Sequence, residues 1–308
     1  MKHISILVPN NAILGSLEGS RQVFSQVNDL FKMKGLDPVF KVQLVGLAKE
    51  TLVSGGLFTV NTDVLIDNVE STDLIIIPAI DGDLSLAIEN NKDLLPWITK
   101  QYDGGAEVAS LCLGAFILAS TGLLNGKKCA THWLAESDFK RMFPEVQLVT
   151  EKIITDEHGL YSSGGAFSYL NLILYLIEKY VGREIAVLSA KVFAIELDRD
   201  SQLSFTVFEG QKSHGDDSVK QVQHFIETNY QAKITIDQLA DMLAIGRRNL
   251  ERRFKKATSN TIAEYIQRVK VEAAKISLES SRENVNEVMY KVGYTDNKAF
   301  RSTFKRLT

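Results

Sequence analysis

The stretch "EVASLCLGAFILAS", residues 107–120, passes from one backbone period to another around a single cysteine. "EVASL" reads as a strand that is apolar without alternation, the pattern of a strand buried on both faces. "GAFILAS" reads as the start of a helix. Cys112 lies at the junction, and Gly114 leaves room for close approach of another backbone. A thiol on such a turn has three readings: a nucleophile, a residue lining a pocket, or an inert buried side chain. A following helix N-terminus would favour its thiolate.

Working outward, "HISILVP" (3–9), "VFKVQLVG" (39–46), "DLIIIPAI" (73–80) and "KKCATHW" (127–133) read as further strands. Amphipathic stretches at 16–35 and 83–102 separate several of them. Alternating strands and helices predict an α/β fold, a doubly wound and mostly parallel sheet covered on both faces. Residues 146–165 read as a hairpin turning at "DEHG", followed by helices over 166–181 and 183–196 that Gly182 separates. Residues 198–217, "DRDSQLSFTVFEGQKSHGDD", lose periodicity and read as a linker. From 218 onward only short helices follow, an all-α domain. The expected boundaries are 1–197, 198–217 and 218–308.

The 308 residues suffice for two cores. The net charge of −3 conceals an imbalance: residues 216–308 carry 17 Lys and Arg against 12 Asp and Glu, net +5. Residues 1–215 are left with 18 against 26, net −8. A basic tail domain on an acidic body points to a polyanionic partner for the tail. Cys112 and Cys129 form neither a disulfide framework nor a metal spacing, and Cys129 is expected in the core. His3, His158, His214 and His224 have no ligand spacing, so neither metal nor cofactor is expected. The apolar runs are too short for a signal peptide or a membrane span, which places the chain in a reducing cytoplasm with no membrane partner.

The all-α domain repeats itself. "TIDQLADMLAIGRRNLERRFKK" (235–256) and "NVNEVMYKVGYTDNKAFRSTFKR" (284–306) each read as helix, turn, helix. Leu239, Ala240 and Leu243 match Val288, Met289 and Val292; the turns contain Gly246 and Gly293; Leu250/Phe254 match Phe300/Phe304. With those pairs facing inward, Arg248, Arg252 and Lys255 face outward, with Glu251 at the edge. In the second unit Lys298, Ser302 and Lys305 face outward beside Arg301. Two basic faces on second helices fit insertion into major grooves of double-stranded DNA; the plain alternative is a pair of solvated helix faces. Arg253 lies nearer the packed side, suited to a phosphate or an internal carboxylate. Residues 261–281 have the length of a rigid connecting helix.

The last 90 or so residues resemble the DNA-binding domain of the AraC/XylS family of transcription regulators, most specifically in "GYTDNKAFRSTFKR". Gly246 stands where that family often has a capping Ser, a slight weakening. The family's "G-x-S-P-x-x-Y-R"-like tail does not follow the second unit, which would loosen the closing helix. Residues 1 to about 197 resemble the class I glutamine amidotransferase/PfpI-like superfamily, with its flavodoxin-like sheet. "ASLCLGAFILASTGLLNGKKCATHW" (109–133) and "DRDSQLSF" (198–205) match the branch fused to AraC-type domains.

In enzymes of that superfamily a cysteine works with a histidine and an acid. The resemblance offers Cys112 and His132, with Glu18 as carboxylate unless Ser16 takes its place. Leu113 stands where protease-like members carry His, and "PAIDGD" (78–83) lacks paired glycines for oxyanion donors. No catalysis is therefore expected; Cys112, His132 and Glu18 are vestigial or pocket residues. "SSGGAFSYLN" (162–171) opens a helix after paired glycines, where backbone amides could hold an anionic group or simply allow close packing. The resulting reading is a DNA-binding regulator whose first domain senses a small molecule, which the resemblance implies is nitrogen-containing, and forms a homodimer. The alternative is a cysteine hydrolase or thiol redox sensor built on Cys112 and His132.

Overall fold

Strand β6 (Leu74–Ile77) is buried along its whole length, and its side chains alternate between two cores. Leu74 and Ile76 join one cluster, Ile75 and Ile77 the other. A strand can be apolar at every position only where both sheet faces are covered. The computed structural model that shows this describes residues 1–197, 208, 210–212 and 214–308. It divides into two compact units, Met1–Leu203 and Ser204–Thr308. The "DRDSQLSF" motif and much of the expected linker lie outside the described residues.

In the first unit β6 neighbours β1 (Lys2–Leu7) and β7 (Glu107–Leu111), in a seven-stranded sheet. β2 (Phe40–Gly46) and β5 (Val64–Leu65) extend one side; β11 (Leu160–Ser163) and β10 (Ile154–Glu157) extend the other. Every pairing is parallel except β10 with β11. These two form the expected hairpin, whose turn residues His158 and Gly159 both have positive φ, 55° and 85°. That is the backbone twist a two-residue hairpin loop requires. Its second strand returns into the main sheet, pairing Ser163 with Leu111 of β7.

Helices α1 (Leu14–Met33), α6 (Tyr169–Val181) and α7 (Arg183–Phe193) supply one core. Helices α3 (Leu94–Asp103), α4 (Ala115–Ser120) and α5 (Glu136–Met142) contribute to the other. Three local expectations need correction. The helix over 83–102 is two helices, α2 (Leu84–Asn90) and α3, because buried Asn91 turns its side-chain amide to the Ala87 and Asn10 carbonyls. "KKCATHW" supplies only β8 (Lys128–Cys129), paired with β9 (Gln147–Leu148) apart from the main sheet. The ladder stops there because the Ala130 N–H donates to Ser162 Oγ instead. A hairpin of β3 (Glu50–Val53) and β4 (Phe58–Asn61) was not legible; left-handed Ser54, Gly55 and Gly56 form its turn.

In the second unit α8 (Asp217–Asn229) precedes α9 (Ile236–Met242) and α10 (Arg247–Thr258). Then follow α11 (Ile262–Ser280), α12 (Val285–Lys291) and α13 (Asn297–Leu307). Val222, Leu239, Phe254 and Tyr265 belong to one core, and Ala274, Met289 and Phe300 to a second. One uninterrupted helix, α11, enters both, as its 19 residues allow. The end of the expected linker is packed rather than free: Phe208 lies against the first core, and the Gln211 carbonyl accepts from Gln223.

Candidate functional site

The two helix-turn-helix units share one turn. After α9 the N–H of Ala244 donates to Asp241 and that of Ile245 to Ala240; after α12 Gly293 donates to Tyr290 and Tyr294 to Met289. Ala244 and Gly293 are both left-handed, at φ 50° and 76°. The turn glycine of the second unit therefore matches Ala244, not Gly246 as the sequence pairing had it. Gly246 is the residue that opens α10, at φ −68° and without a side-chain cap. Asp296 opens α13, accepting from the amides of Lys298 and Ala299 at 2.8 and 3.3 Å.

Leu250, Phe254 and Phe300 are buried, and Phe304 is partly buried against the second core. The opposite faces carry the expected cations: Arg248, Arg252 and Lys255 on α10, and Lys298, Arg301 and Lys305 with Ser302 on α13, all exposed. Among the described residues Arg248, Arg252, Lys298, Arg301 and Lys305 enter no ion pair. Glu251 is half-buried and held by Arg247 at 3.3 Å. Arg253 takes the internal carboxylate, donating twice to Asp216 at 2.8 and 2.6 Å. Asp216 also caps α8 through the Val219 amide. The Arg253 hydrogen bonds hold its carboxyl below the usual range. This clamp joins the start of α8 to α10; the sequence placed Arg253 near the packed side with an internal carboxylate as one of two roles, and the fold supplies Asp216 as that carboxylate.

In the first unit Cys112 ends β7 on a strained turn. Its φ is 52°, a region costly for a side chain with Cβ. A Cβ at Gly114 would stand 2.5 and 2.7 Å from the carbonyl oxygens of Pro78 and Ile77, so the close approach read from the sequence is to the end of β6. The thiol is 4% exposed. Burial pushes its pKa up to about 11, and the Leu113 amide offsets only part of this. The expected lowering by a helix terminus does not occur, because α4 has only six residues and desolvation of the thiolate outweighs its dipole. Cys129 is fully buried, as expected.

Among the described residues His132 makes no hydrogen bond to this thiol. Its Nδ1 accepts from the Leu134 amide at 3.2 Å and its ring stacks on Trp133. Burial lowers its pKa, so the ring is neutral near pH 7. The neighbouring Thr131 hydroxyl instead donates to the Cys112 carbonyl at 3.0 Å. Glu18 is tied to Arg21 by two 2.7 Å bonds. Ser16 takes the inner place: its hydroxyl accepts from the Ala79 amide at 3.0 Å and donates to Ile13. That occupies a main-chain donor at the end of β6. Among the described residues no cluster of His, Cys, Asp and Glu is arranged to hold a metal.

Residues 27–179 match the DJ-1/PfpI family, and residues 239–308 match a helix-turn-helix domain family. The chain is 24% identical over 258 residues to the HTH-type transcriptional regulator GbdR of Pseudomonas aeruginosa, covering 83% of this chain and 69% of that one. Over 95 residues it is 36% identical to the xylose operon regulatory protein of Escherichia coli, covering 31% of this chain and 24% of that one. The structure of an AraC family transcriptional regulator from Pseudomonas putida superposes at a TM-score of 0.53 and 15% identity, covering 63% of this chain and all of that one. The protein belongs to the transcription regulators that join an N-terminal DJ-1/PfpI domain to an AraC-type helix-turn-helix domain.

Proposed function

We propose that this regulator binds operator DNA through Arg248, Arg252 and Lys255 on α10 and Lys298, Arg301, Ser302 and Lys305 on α13, with Glu251 at the edge of the first face. The observation that carries this reading is the pair of matching turns, each presenting an exposed cationic helix face. The net charge of +5 over residues 216–308 supports it. The N-terminal unit senses a small, nitrogen-containing metabolite beside Cys112 and His132 and forms a homodimer. It acts in the cytoplasm; among the described residues no helix is long and apolar enough to cross a membrane. For the ligand to act, it must bind two arrangements of the DNA-binding domains with different affinity.

The strained turn at Cys112 favours one second reading, a cysteine hydrolase or thiol redox sensor. Against it stand a thiol that is protonated near neutrality, a histidine bonded elsewhere and a main-chain donor taken by Ser16. These support a sensor pocket over a working nucleophile.

The test is binding to genomic fragments across a salt series, for wild type and for Arg252→Ala with Lys298→Ala. Each lost phosphate contact should reduce the slope of log K against log salt by about 0.9. Specific, salt-sensitive binding that weakens in the variant is the expected result. No specific binding by folded wild type, with or without added metabolites, would remove the regulator reading.

A further inference from the structure

We propose that residues 208–216 form a strap that seats on the first helix-turn-helix unit, and that this unit grips DNA fully only while the strap is seated. The inference rests on the DNA-binding reading and names a route by which that binding is regulated. The chain enters the helical domain through these residues, so tension on the linker reaches the strap before it reaches any helix.

The described residues of the segment meet partners on three different helices. The Phe208 ring stands edge-on to Tyr265 of α11, centroids 5.1 Å apart, with the Arg268 guanidinium 5.6 Å from its centroid. Gly210 is left-handed at φ 73°, and a Cβ there would stand 2.1 Å from the Tyr265 hydroxyl oxygen. The Gln211 carbonyl accepts from Gln223 Nε2 of α8 at 2.9 Å, and its side-chain oxygen accepts from Asn260 Nδ2 at 3.1 Å. Lys212 pairs with Glu227 of α8 at 2.8 Å. His214 Nδ1 accepts from the Asp216 N–H at 3.3 Å, which leaves Nε2 as the donor to Gln223 Oε1 at 2.9 Å. Asp216 ends the segment on Arg253 of α10.

Gln223 makes the seating all-or-none. It is 1% exposed; its amide donates to Gln211 and to the Tyr265 hydroxyl, and its oxygen accepts from His214. The strap supplies two of these three bonds. Lifting it part-way leaves a buried amide short of partners, whereas complete departure opens that amide to water. The seating is also weak enough to be reversed. Phe208 is the only large apolar residue in 208–216. It is partly buried and borders a cavity of about 680 Å³ that Lys212, Tyr230, Val269 and Ile276 also line. The other ties are polar, so the strap opens at less cost than the unit beneath it.

The far end of the strap reaches a DNA-reading helix. Asp216 caps α8 through the Val219 amide and holds Arg253, which shares α10 with Arg248, Arg252 and Lys255. With the strap out, Leu250 and Phe254 still pack, but α10 loses the two bonds that fix its flank to the start of α8. The core of the second unit, Ala274, Val288, Met289, Val292 and Phe300, includes none of the strap's partners. Release therefore weakens one grip and spares the other.

The test uses the full chain, a release variant carrying Phe208→Ala with Gly210→Val, and the conservative Phe208→Tyr. Endoproteinase Lys-C reports seating through the rate of cleavage after Lys212, which should rise about tenfold or more on release. Release should also weaken binding to a genomic fragment that wild type selects by about tenfold, the loss expected when about one chain in ten stays seated. The same loss should appear on a Lys298→Ala background. It should shrink below about threefold where Arg248, Arg252 and Lys255 are already alanine, because the first unit then has no grip to lose. Phe208→Tyr keeps the ring contact, and its hydroxyl has the cavity to occupy, so it should behave as wild type. Hydrogen exchange of α12 and α13 should stay unchanged in every variant.

The proposal is overturned if Lys-C cuts wild type after Lys212 as fast as the release variant, or if release speeds cleavage without weakening DNA binding. It is equally overturned if the loss is undiminished on the triple-alanine background, or if Phe208→Tyr acts as release does. Loss of protection in α12 and α13 would make the segment part of a common core and no switch. Wild type that selects no fragment removes the DNA-binding reading itself, whereas specific binding by wild type with any of these outcomes removes the strap alone.

Discussion

Gly293 turns the second helix-turn-helix unit, and replacing it with alanine should separate that unit's stability from that of the first. Three costs add. A left-handed alanine at φ 76° costs about 1 kcal/mol relative to glycine. The new Cβ would stand 2.2 Å from the Gln231 carbonyl oxygen. That atom belongs to the main chain, so the turn itself must shift; overpacking of this kind costs about 1–3 kcal/mol. The shift also disturbs the bond from Lys270 Nζ to the Gly293 carbonyl, 3.1 Å long and made by an amine whose pKa burial already lowers. Leaving that amine unpaired adds about 1–3 kcal/mol. Together Gly293→Ala should cost roughly 3–7 kcal/mol, against a core of five buried residues: Ala274, Val288, Met289, Val292 and Phe300.

Native-state hydrogen exchange reads this directly. Amides of α12 and α13 should lose protection by about a hundredfold or more, while those of α9 and α10 keep theirs. DNA affinity should fall with a shallower salt dependence. Ala244→Gly is the matching control. It occupies the same turn position in the first unit, and relief of its left-handed strain should leave stability unchanged or raise it by up to about 1 kcal/mol. Wild-type protection of α12 and α13 in Gly293→Ala would refute the reasoning.

Other outcomes follow from the same geometry. Alkylation of Cys112 by iodoacetamide should be slow at pH 7 and accelerate only as the pH approaches about 11; rapid labelling below the ordinary thiol pKa of about 8.5 would revive the nucleophile reading. Gly114→Ala should destabilise the first unit by about 2–4 kcal/mol, measured by urea denaturation, because its Cβ meets two main-chain oxygens within 2.7 Å. Asp216→Ala removes a helix cap and the Arg253 clamp, and the cap alone should cost about 1 kcal/mol. Because Arg253 depresses the folded pKa of Asp216, its contribution should be complete above the unfolded value of about 3.9 and disappear as pH falls through the lower folded one. A stability difference between wild type and Asp216→Ala that does not shrink on acidification would contradict this.

Much of the architecture was legible in the chain, because periodicity reports burial directly. "LIII" at 74–77 could only be a strand covered on both faces, and the Leu250/Phe254 and Phe300/Phe304 pairs oriented both second helices. The β3–β4 hairpin escaped because its strands have four residues each, too few to establish a period. The split of 83–102 depended on where the Asn91 side chain found acceptors, one of which is the Asn10 carbonyl, 81 residues away.

The sequence by itself determined the two-unit order, the parallel sheet, the duplicated helical module and the cationic faces, because each is encoded in residues a few positions apart. Only the tertiary structure decided the chemistry around Cys112. Whether that thiol is acidic or inert depends on how much water reaches it. Whether Ser16 or Glu18 stands nearest β6 depends on which one meets the Ala79 amide. Arg253 had two open roles until the fold brought Asp216 to it. Desolvation and hydrogen-bond partnership arise from groups far apart in the chain, and no local pattern records them.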